Sequence, residues 1–441
     1  MCGVTLIAVP FAGEGAGEDE LSWGQQDIWG SMRRDRSWLP IGFARPVPPG
    51  TTVEDIADEL RFCMSRYQSM RTTLRFDGDG LPRQVVHASG EVSLEVVDAP
   101  PDADLAAVAK GVRERYQATD HDHATEWPVR MAVVRRDGVP AYQVMVVCHL
   151  VVDGMGALVM QDEMRTRPAG PIAALQPLEQ AREQRTPAAV RRSQAALRHW
   201  EHLLRTTPAD RFAGSGDPRT PRYWEVVRTS PALHLALGPV AARARQESST
   251  VLLAAFAMAM SRVTGIAPLL TQLVVGNRFR PGLAESVSPV SQTALCRLDV
   301  AGCDLDEALA RTWRAALAGY KHSYYDPAAL EALLERVARE RPEPAVMRCG
   351  FNDRRALTRE VATVDGAVDL RAALARTTTH VERRQDKPFD PCYLHVVQER
   401  EAIALALCAD THFLGPDEQQ AVLRGVEEII VNAAVGAGST L

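Results

Sequence analysis

Residues 144–160, VMVVCHLVVDGMGALVM, constrain this chain more than any other stretch. The apolar run 144–148 has the length and β-branched content of a buried strand, and it delivers His149 to its end. After three more residues, Asp153-Gly154 turns the chain into a second apolar segment. An imidazole at the mouth of a buried strand, followed by a carboxylate and a glycine, is an arrangement that acid–base chemistry uses.

With 441 residues the chain exceeds one comfortable core, so two lobes of roughly 150–250 residues each are expected. Hydrophobic residues at 46% and charged residues at 24% fit a folded chain and exclude disordered or collagenous sequence. A formal charge of −6 gives no electrostatic reason for a phosphate-backbone partner, so nucleic acid is not expected. The cysteines, Cys2, Cys63, Cys148, Cys296, Cys303, Cys349, Cys392 and Cys408, form no CxxC pair and several fall in apolar runs, as expected of a reducing cytosol. The opening MCGVTLIAVPFAGEG has no basic leader region and is too short to span a bilayer. A cytoplasmic protein without a membrane partner is therefore expected.

Read in order, residues 4–11 are strand-like and residues 13–17, GEGAG, form a loop. The following Glu18-Asp19-Glu20 would repel a pyrophosphate, so this is read as a plain loop and not a dinucleotide fingerprint. Ser22 with Gln25 makes a capping box for the helix of LSWGQQDIW. Thr51 with Glu54 is read as the cap of a second helix reaching residue 68. Strands follow at 71–76, 82–87 and 92–97, the first two joined by Asp77-Gly78-Asp79-Gly80, then a helix at 104–116. Residues 129–135 and 141–150, joined by Asp137-Gly138, form a hairpin whose second strand reaches His149.

Residues 165–186, rich in Pro, Arg and Gln, are read as a connection, placing the lobes at 1–172 and 173–441. Thr186-Pro187 starts a helix by the proline-at-N1 rule, with Val190, Leu197, Trp200 and Leu204 on one face. A strand at 233–237, a helix at 250–263 capped by Ser249 and a strand at 269–275 come next. The GNRFRPG loop (276–282), helices near 305–320 and 327–338, strands at 346–351, 393–397 and 402–409, and a helix from Asp417 to about residue 434 complete the chain. There is no internal repeat. The fold class is α+β, a mixed α/β chain.

With these landmarks in place, the sequence resembles the condensation domains of nonribosomal peptide synthetases, within the coenzyme-A-dependent acyltransferases shaped like chloramphenicol acetyltransferase. LSWGQQDIW resembles that family's LSxxQxxxW, RYQSMRT (66–72) its RHExLRT, and CHLVVDG (148–154) its HHxxxDG active-site motif. RPGLAESVSPVSQTALCRL (280–298) is similar to RPxLExxVGxxxNTLxLR, and AGYKHSYYDPAALEAL (318–333) to AxAHQDLPFEKL. The resemblance implies two chloramphenicol-acetyltransferase-like lobes forming a V with a central tunnel. It implies that His149 is catalytic, that Asp153 holds the loop through a salt bridge to Arg278, and that the backbone of Gly154 lies near the reacting centre. It implies no permanently bound cofactor. The thioester would arrive on the phosphopantetheine of an acyl or peptidyl carrier protein in trans, or on coenzyme A, and a small-molecule amine or alcohol would accept the acyl group. Neither an adenylation nor a carrier domain is expected within these residues.

The residues themselves agree with acyl transfer. Attack on a thioester needs an acceptor free of its proton and a stabilised oxyanion, and a histidine takes or shares that proton near neutrality. No GxSxG or similar nucleophile motif is present, so attack is expected to be direct. The sequence departs from the family at Cys148, which replaces the first histidine and is read as a packing thiol supporting the site. It departs again at Val287-Ser288-Pro289-Val290-Ser291-Gln292-Thr293, where the usual glycine and asparagine are missing. Ser288, Ser291, Gln292 and Thr293 are the candidate tunnel-wall residues. No match to RDxSRxPL is found.

Asp120-His121-Asp122-His123 has the composition of a metal cluster, but alternating residues on one loop seldom converge on one ion, so no metal is expected. His322 matches a family histidine and is read as packing, and Trp23, Trp29, Trp200 and Trp313 as core anchors. The expected function is a free-standing condensation-type acyltransferase making an amide or ester in specialised metabolism. A catalytically silent condensation-like domain that recruits a carrier protein or tailoring enzyme is the alternative, and small-molecule acyl transfer from coenzyme A a third.

Overall fold

A computed structural model describes residues 3–436 except 79, 210, 211, 213, 342–346, 348, 359–368 and 388–390. The chain forms two compact units, residues 1–190 with 276–291, and residues 191–275 with 292–441. The division falls later than the expected 172/173, and the loop 276–291 returns to the first unit. The reason is local: the polar stretch read as a connection contains a helix whose Gln180 is buried against Ser286 and Ser288 of that loop.

The elements of the first unit are β1 (Gly3–Ala12), β2 (Gly17–Glu20), α1 (Trp23–Asp35), β3 (Pro40–Pro46), α2 (Val53–Arg66), β4 (Thr72–Arg75), β5 (Arg83–Val86), β6 (Ser89–Asp98), α3 (Leu105–Ala118), β7 (Val129–Arg136), β8 (Val139–Cys148), α4 (Gly154–Thr166) and α5 (Pro177–Gln184). One sheet has the order β1-β6-β7-β8-β3 and a smaller one the order β2-β5-β4. Strand β8 lies inside the larger sheet, antiparallel to β7 and to β3, and this accounts for its continuous burial from Gln143 to Cys148. The acidic run after the glycine loop is β2, where Asp19 pairs with Arg185 and Glu18 with Arg75 and Arg83. Helix α2 is capped by Thr52 and Asp55, not by Thr51 and Glu54. Two overlapping Thr-x-x-acid frames compete there, and the Thr51 hydroxyl instead donates to the carbonyl of Pro48.

Helix α6 (Pro187–Thr206) begins at the boundary. The second unit continues with β9 (Tyr223–Ser230), α7 (Pro231–Ala244), α8 (Ser248–Thr264), β10 (Leu269–Val275), β11 (Gln292–Leu298), α9 (Leu305–Lys321), α10 (Pro327–Glu340), β12 (Cys349–Asp353), α11 (Leu370–Ala375), β13 (Thr378–Gln385), β14 (Cys392–Gln398), β15 (Ile403–Asp410) and α12 (Pro416–Val435). Its sheet has the order β11-β10-β12-β14-β15-β9-β13. The expected strand at 233–237 is helix α7. Its Leu233, Leu235 and Leu237 alternate like a strand, but Ser230 accepts from the Leu233 N–H, Pro231 presets the first turn, and the buried set Ala232, Leu233, Ala236, Leu237 and Val240 follows the helical period. Helix α8 starts at Ser248 with Glu247 as N-cap, two residues before the Ser249 cap expected. Positions 346 and 348 of the expected 346–351 strand lie outside the described residues.

Of the tryptophans, Trp23 and Trp200 are buried, and Trp200 packs edge-on to Tyr325 at 5.7 Å. Trp29 is half-buried beside Phe76. Trp313 is 45% exposed and is not a core anchor, because α9 turns Ala308, Leu309, Thr312 and Ala316 inward instead.

Candidate active site

The site is built from the end of β8. The strand stops at Cys148, two residues short of the expected 141–150, and His149 opens the turn leading to α4. Its backbone N–H donates to the carbonyl of Leu39 at 3.2 Å, just before β3. Leu39 itself sits in left-handed backbone at φ 48°. The imidazole is half-buried. Nδ1 is enclosed and has no hydrogen-bond partner among the described residues, leaving Nε2 as the nitrogen free to meet a reactant.

Cys148 faces the opposite way, as strand alternation requires. It is fully buried, its thiol donates to the Trp38 carbonyl at 3.3 Å, and burial pushes its pKa up to about 12. A thiol held neutral in this way packs; it is not a thiolate.

Asp153 caps α4 by accepting from the Gly156 N–H at 2.9 Å. It is 3% exposed. Arg278 donates to both of its oxygens, at 2.6 and 2.9 Å. Oδ2 also accepts from the N–H groups of Val290 (3.1 Å) and Ser291 (3.2 Å) and from the Ser291 hydroxyl (2.8 Å). Burial alone would raise this carboxyl; the Arg278 charge and the hydrogen bonds outweigh it and hold it below the ordinary carboxylate range. Asp153 is thus a fixed anion. Gly154 is the first residue of α4, where helix N–H groups have no intrahelical partner.

Loop 276–291 completes the site. Arg278 also donates to the Ser286 carbonyl at 3.0 Å, and Asn277, at φ 55°, donates to the Val290 carbonyl at 3.1 Å. Gln180 of α5 donates to the hydroxyls of Ser286 and Ser288, each at 2.7 Å. Gly24 of α1 presses on the same loop, and a Cβ there would stand 1.8 Å from the Pro289 carbonyl oxygen.

The four candidate wall residues therefore separate. Ser288 and Gln292 are 0% and 1% exposed. Ser288 is tied to Gln180, and Gln292 to the backbone of Tyr325 through both its amide nitrogen and oxygen, so neither lines an open surface. Ser291 is half-buried on Asp153, and Thr293 pairs with the Tyr325 hydroxyl. Leu39, Gln180 and the contact between Gly24 and Pro289 went unread in the sequence. Only Gln180 had a signal there, the Gln176-Pro177-Leu178-Glu179 start of its helix.

The Asp120–His123 loop folds into an aromatic stack, with the His121 ring on Trp38 at 5.1 Å and against His123 at 4.7 Å. Among the described residues no group of three or more His, Cys, Asp or Glu is placed to hold a metal ion. His322 stacks on His199 at 4.7 Å. No described helix is long and apolar enough to cross a membrane.

Comparison with known proteins agrees with this geometry. Nonribosomal peptide synthetase kk1B of Curvularia clavata is 27% identical over 337 residues, 71% of this chain. The chain spans only 2% to 10% of the length of such relatives. Among solved structures, a condensation domain that mediates chain release from the enacyloxin polyketide synthase superposes with a TM-score of 0.75 at 19% identity, covering 96% of this chain and 84% of the other. The starter condensation domain of rhizomide synthetase, solved with C8-CoA and Leu-SNAC, gives 0.70 at 16% identity, covering 96% and 95%. The fold is that of these condensation domains. The condensation-domain profile itself matches residues 49–346, the span holding His149, Asp153 and Arg278, and the chain belongs to the condensation-domain family.

Proposed function

We propose that this chain transfers an acyl or aminoacyl group from a thioester to an amine or hydroxyl, forming an amide or ester. The observation that carries the reading is His149, presented at the end of β8 with Nδ1 closed off and Nε2 open, next to a carboxylate already committed to Arg278. The acceptor attacks the thioester carbonyl directly. Nε2 takes or orients the acceptor's proton and passes it to the departing thiolate as the C–S bond breaks, so the product is the amide or ester plus a free thiol. Gly154, at the start of α4, offers its N–H toward the developing oxyanion. Asp153 is too well neutralised to exchange protons near pH 7 and keeps the turn in shape.

The thioester would be carried by a carrier protein's phosphopantetheine or by coenzyme A. Biosynthesis of a nonribosomal peptide or related metabolite, with the carrier supplied in trans, is the setting the relatives support. A second reading, a silent domain that recruits a carrier or tailoring enzyme, draws on Cys148 standing where the family has its first histidine.

Acyl transfer from a loaded carrier protein, followed by product mass spectrometry, tests the two. Product from the wild type and at least about 100-fold less from His149→Ala, with carrier binding kept, is the expected result. Carrier binding with no turnover in either form would overturn acyl transfer in favour of recruitment.

A further inference from the structure

Helix α1 meets the loop that holds Asp153 near its start, and the chain just beyond its end meets the strand end that bears His149. Near its start, Gly24 lies against Pro289 and Val290, and the N–H of Val290 donates to Asp153. Just beyond its end, the carbonyls of Trp38 and Leu39 receive the Cys148 thiol and the His149 N–H. Gly24 thus sets one face of α1 on the loop that holds Asp153. Asp27 lies one turn on from Gly24, about 4.5 Å along the axis, with Ser31 a turn further on the same face.

Asp27 is half-buried and has no hydrogen-bond or ion-pair partner among the described residues. Among the described residues the opposing charge acting on it is Arg34, two turns away, whose own contacts go to Ser31 and Asp35. The surrounding protein raises the carboxyl to about 6. Other recessed carboxylates of the first unit are paired: Asp153 has Arg278, Asp19 has Arg185, Glu163 has Arg66. A recessed carboxylate left uncompensated costs free energy, and such a cost is common where a ligand supplies the missing charge.

We propose that Asp27 is a specificity residue that binds a protonated amine of the substrate. This rests on the acyl-transfer reading for the identity of the site, but recognition is measurable without turnover. The shared chemistry is an ammonium group, whether the α-amine of an aminoacyl group or a basic side chain.

The test is calorimetric binding of N-acetylcysteamine thioesters to His149→Ala, with and without Asp27→Asn. Leucyl against 4-methylpentanoyl thioester isolates the α-ammonium, and lysyl against norleucyl isolates a side-chain ammonium. Asp27→Asn should weaken the ammonium-bearing member of at least one pair about tenfold, the loss of one charge-assisted hydrogen bond, and leave its neutral partner unchanged. That preference should also fade as the pH is lowered through 6. The melting temperature should hold or rise, since an uncompensated charge is removed. Equal binding within both pairs before and after the substitution, or a lowered melting temperature with no change in preference, would overturn the proposal. Absence of turnover in the wild type, with the binding contrast intact, would sink acyl transfer and leave Asp27 as a cation site.

Discussion

Arg278 holds Asp153 by two parallel hydrogen bonds, Nη2 to Oδ1 at 2.6 Å and Nη1 to Oδ2 at 2.9 Å, between residues 125 apart in sequence. The Arg278 and Asp153 side chains are 12% and 5% exposed, so solvent screens the pair little. Removing one partner strands the other: Arg278→Ala or Asp153→Asn should each cost about 3–5 kcal/mol. Activity should fall with stability, since the same carboxylate fixes Ser291 and the start of α4. The sign with pH follows from the lowered carboxyl. Its stabilisation is complete above the ordinary value of 3.8 and is lost as pH falls through the lower folded value. Denaturant melts of Asp153→Asn at pH 7 and pH 3 check this; a variant as stable and active as wild type at pH 7 would refute it.

The pair was legible in sequence because each member sits in a recognisable frame, CHLVVDG and GNRFRPG. The hairpin of β7 and β8 and the terminal helix α12 were legible too, from apolar pattern with turn and cap residues. What sequence hid were elements defined by tertiary contact. Strand β3, PIGFARP, has two prolines and a glycine, and is a strand because β8 pairs along its whole length. Helix α5 is mostly polar, and its burial comes from tertiary partners: Gln180 holds the loop, Gln184 accepts from the Trp23 N–H, and the Pro177 carbonyl accepts from Gln84. Helix α7 was misread because leucines at every second position imitate a strand, while the buried face runs Ala232, Leu233, Ala236, Leu237 and Val240 at helical spacing. Ser288 and Gln292 looked like wall residues because the family pattern passes through them; their hydrogen bonds turn them inward.

Gly24 has a stake in the site that only its neighbours reveal. An added Cβ would lie 1.8 Å from the Pro289 carbonyl oxygen and 3.3 Å from the Val290 Cα, both backbone atoms. Backbone does not swing aside, so Gly24→Ala must push α1 and the Asp153-bound loop apart. A loss of about 1–3 kcal/mol is expected, with transfer activity reduced more than for an alanine at Gly30, where an added Cβ meets nothing within 4 Å. Equal effects of the two substitutions on activity would disprove the coupling.

Cys148 should prove dispensable for chemistry. Its thiol, pushed up to about 12 by burial, carries no appreciable thiolate near neutrality, and its hydrogen bond goes to a carbonyl. Cys148→Ala leaves a small cavity worth roughly 1 kcal/mol and should keep transfer within a few-fold of wild type. Iodoacetamide on the native protein should leave Cys148 unlabelled, as read by peptide mass spectrometry. Loss of all activity from a variant with an unchanged melting profile would make the thiol a participant.

The stack of His121 on Trp38 should make the first unit acid-sensitive. His121 Nδ1 lies 3.3 Å from Glu126 Oε2 without hydrogen-bond alignment, His123 packs against the ring, and the Arg130 guanidinium covers Trp38. Burial, with the His123 and Arg130 charges, pushes the imidazole down to about 4, against the opposing pull of Glu126 and Asp122. An imidazole lowered on folding binds its proton more readily when unfolded, so stability falls as pH drops below the ordinary 6.5 and levels off below 4. Over that window His121 alone removes roughly 3 kcal/mol, at about 1.4 kcal/mol for each pH unit. His395, half-buried in the second unit and also pushed down to about 4, adds its own loss there. Phenylalanine keeps the stack on Trp38 and cannot be protonated. His121→Phe should therefore match wild type near pH 7.5 and exceed it progressively from pH 6 to 4.5 in urea unfolding followed by tryptophan fluorescence. Parallel stability curves for the two proteins across that range would mean that His121 is not what makes the unit sensitive to acid.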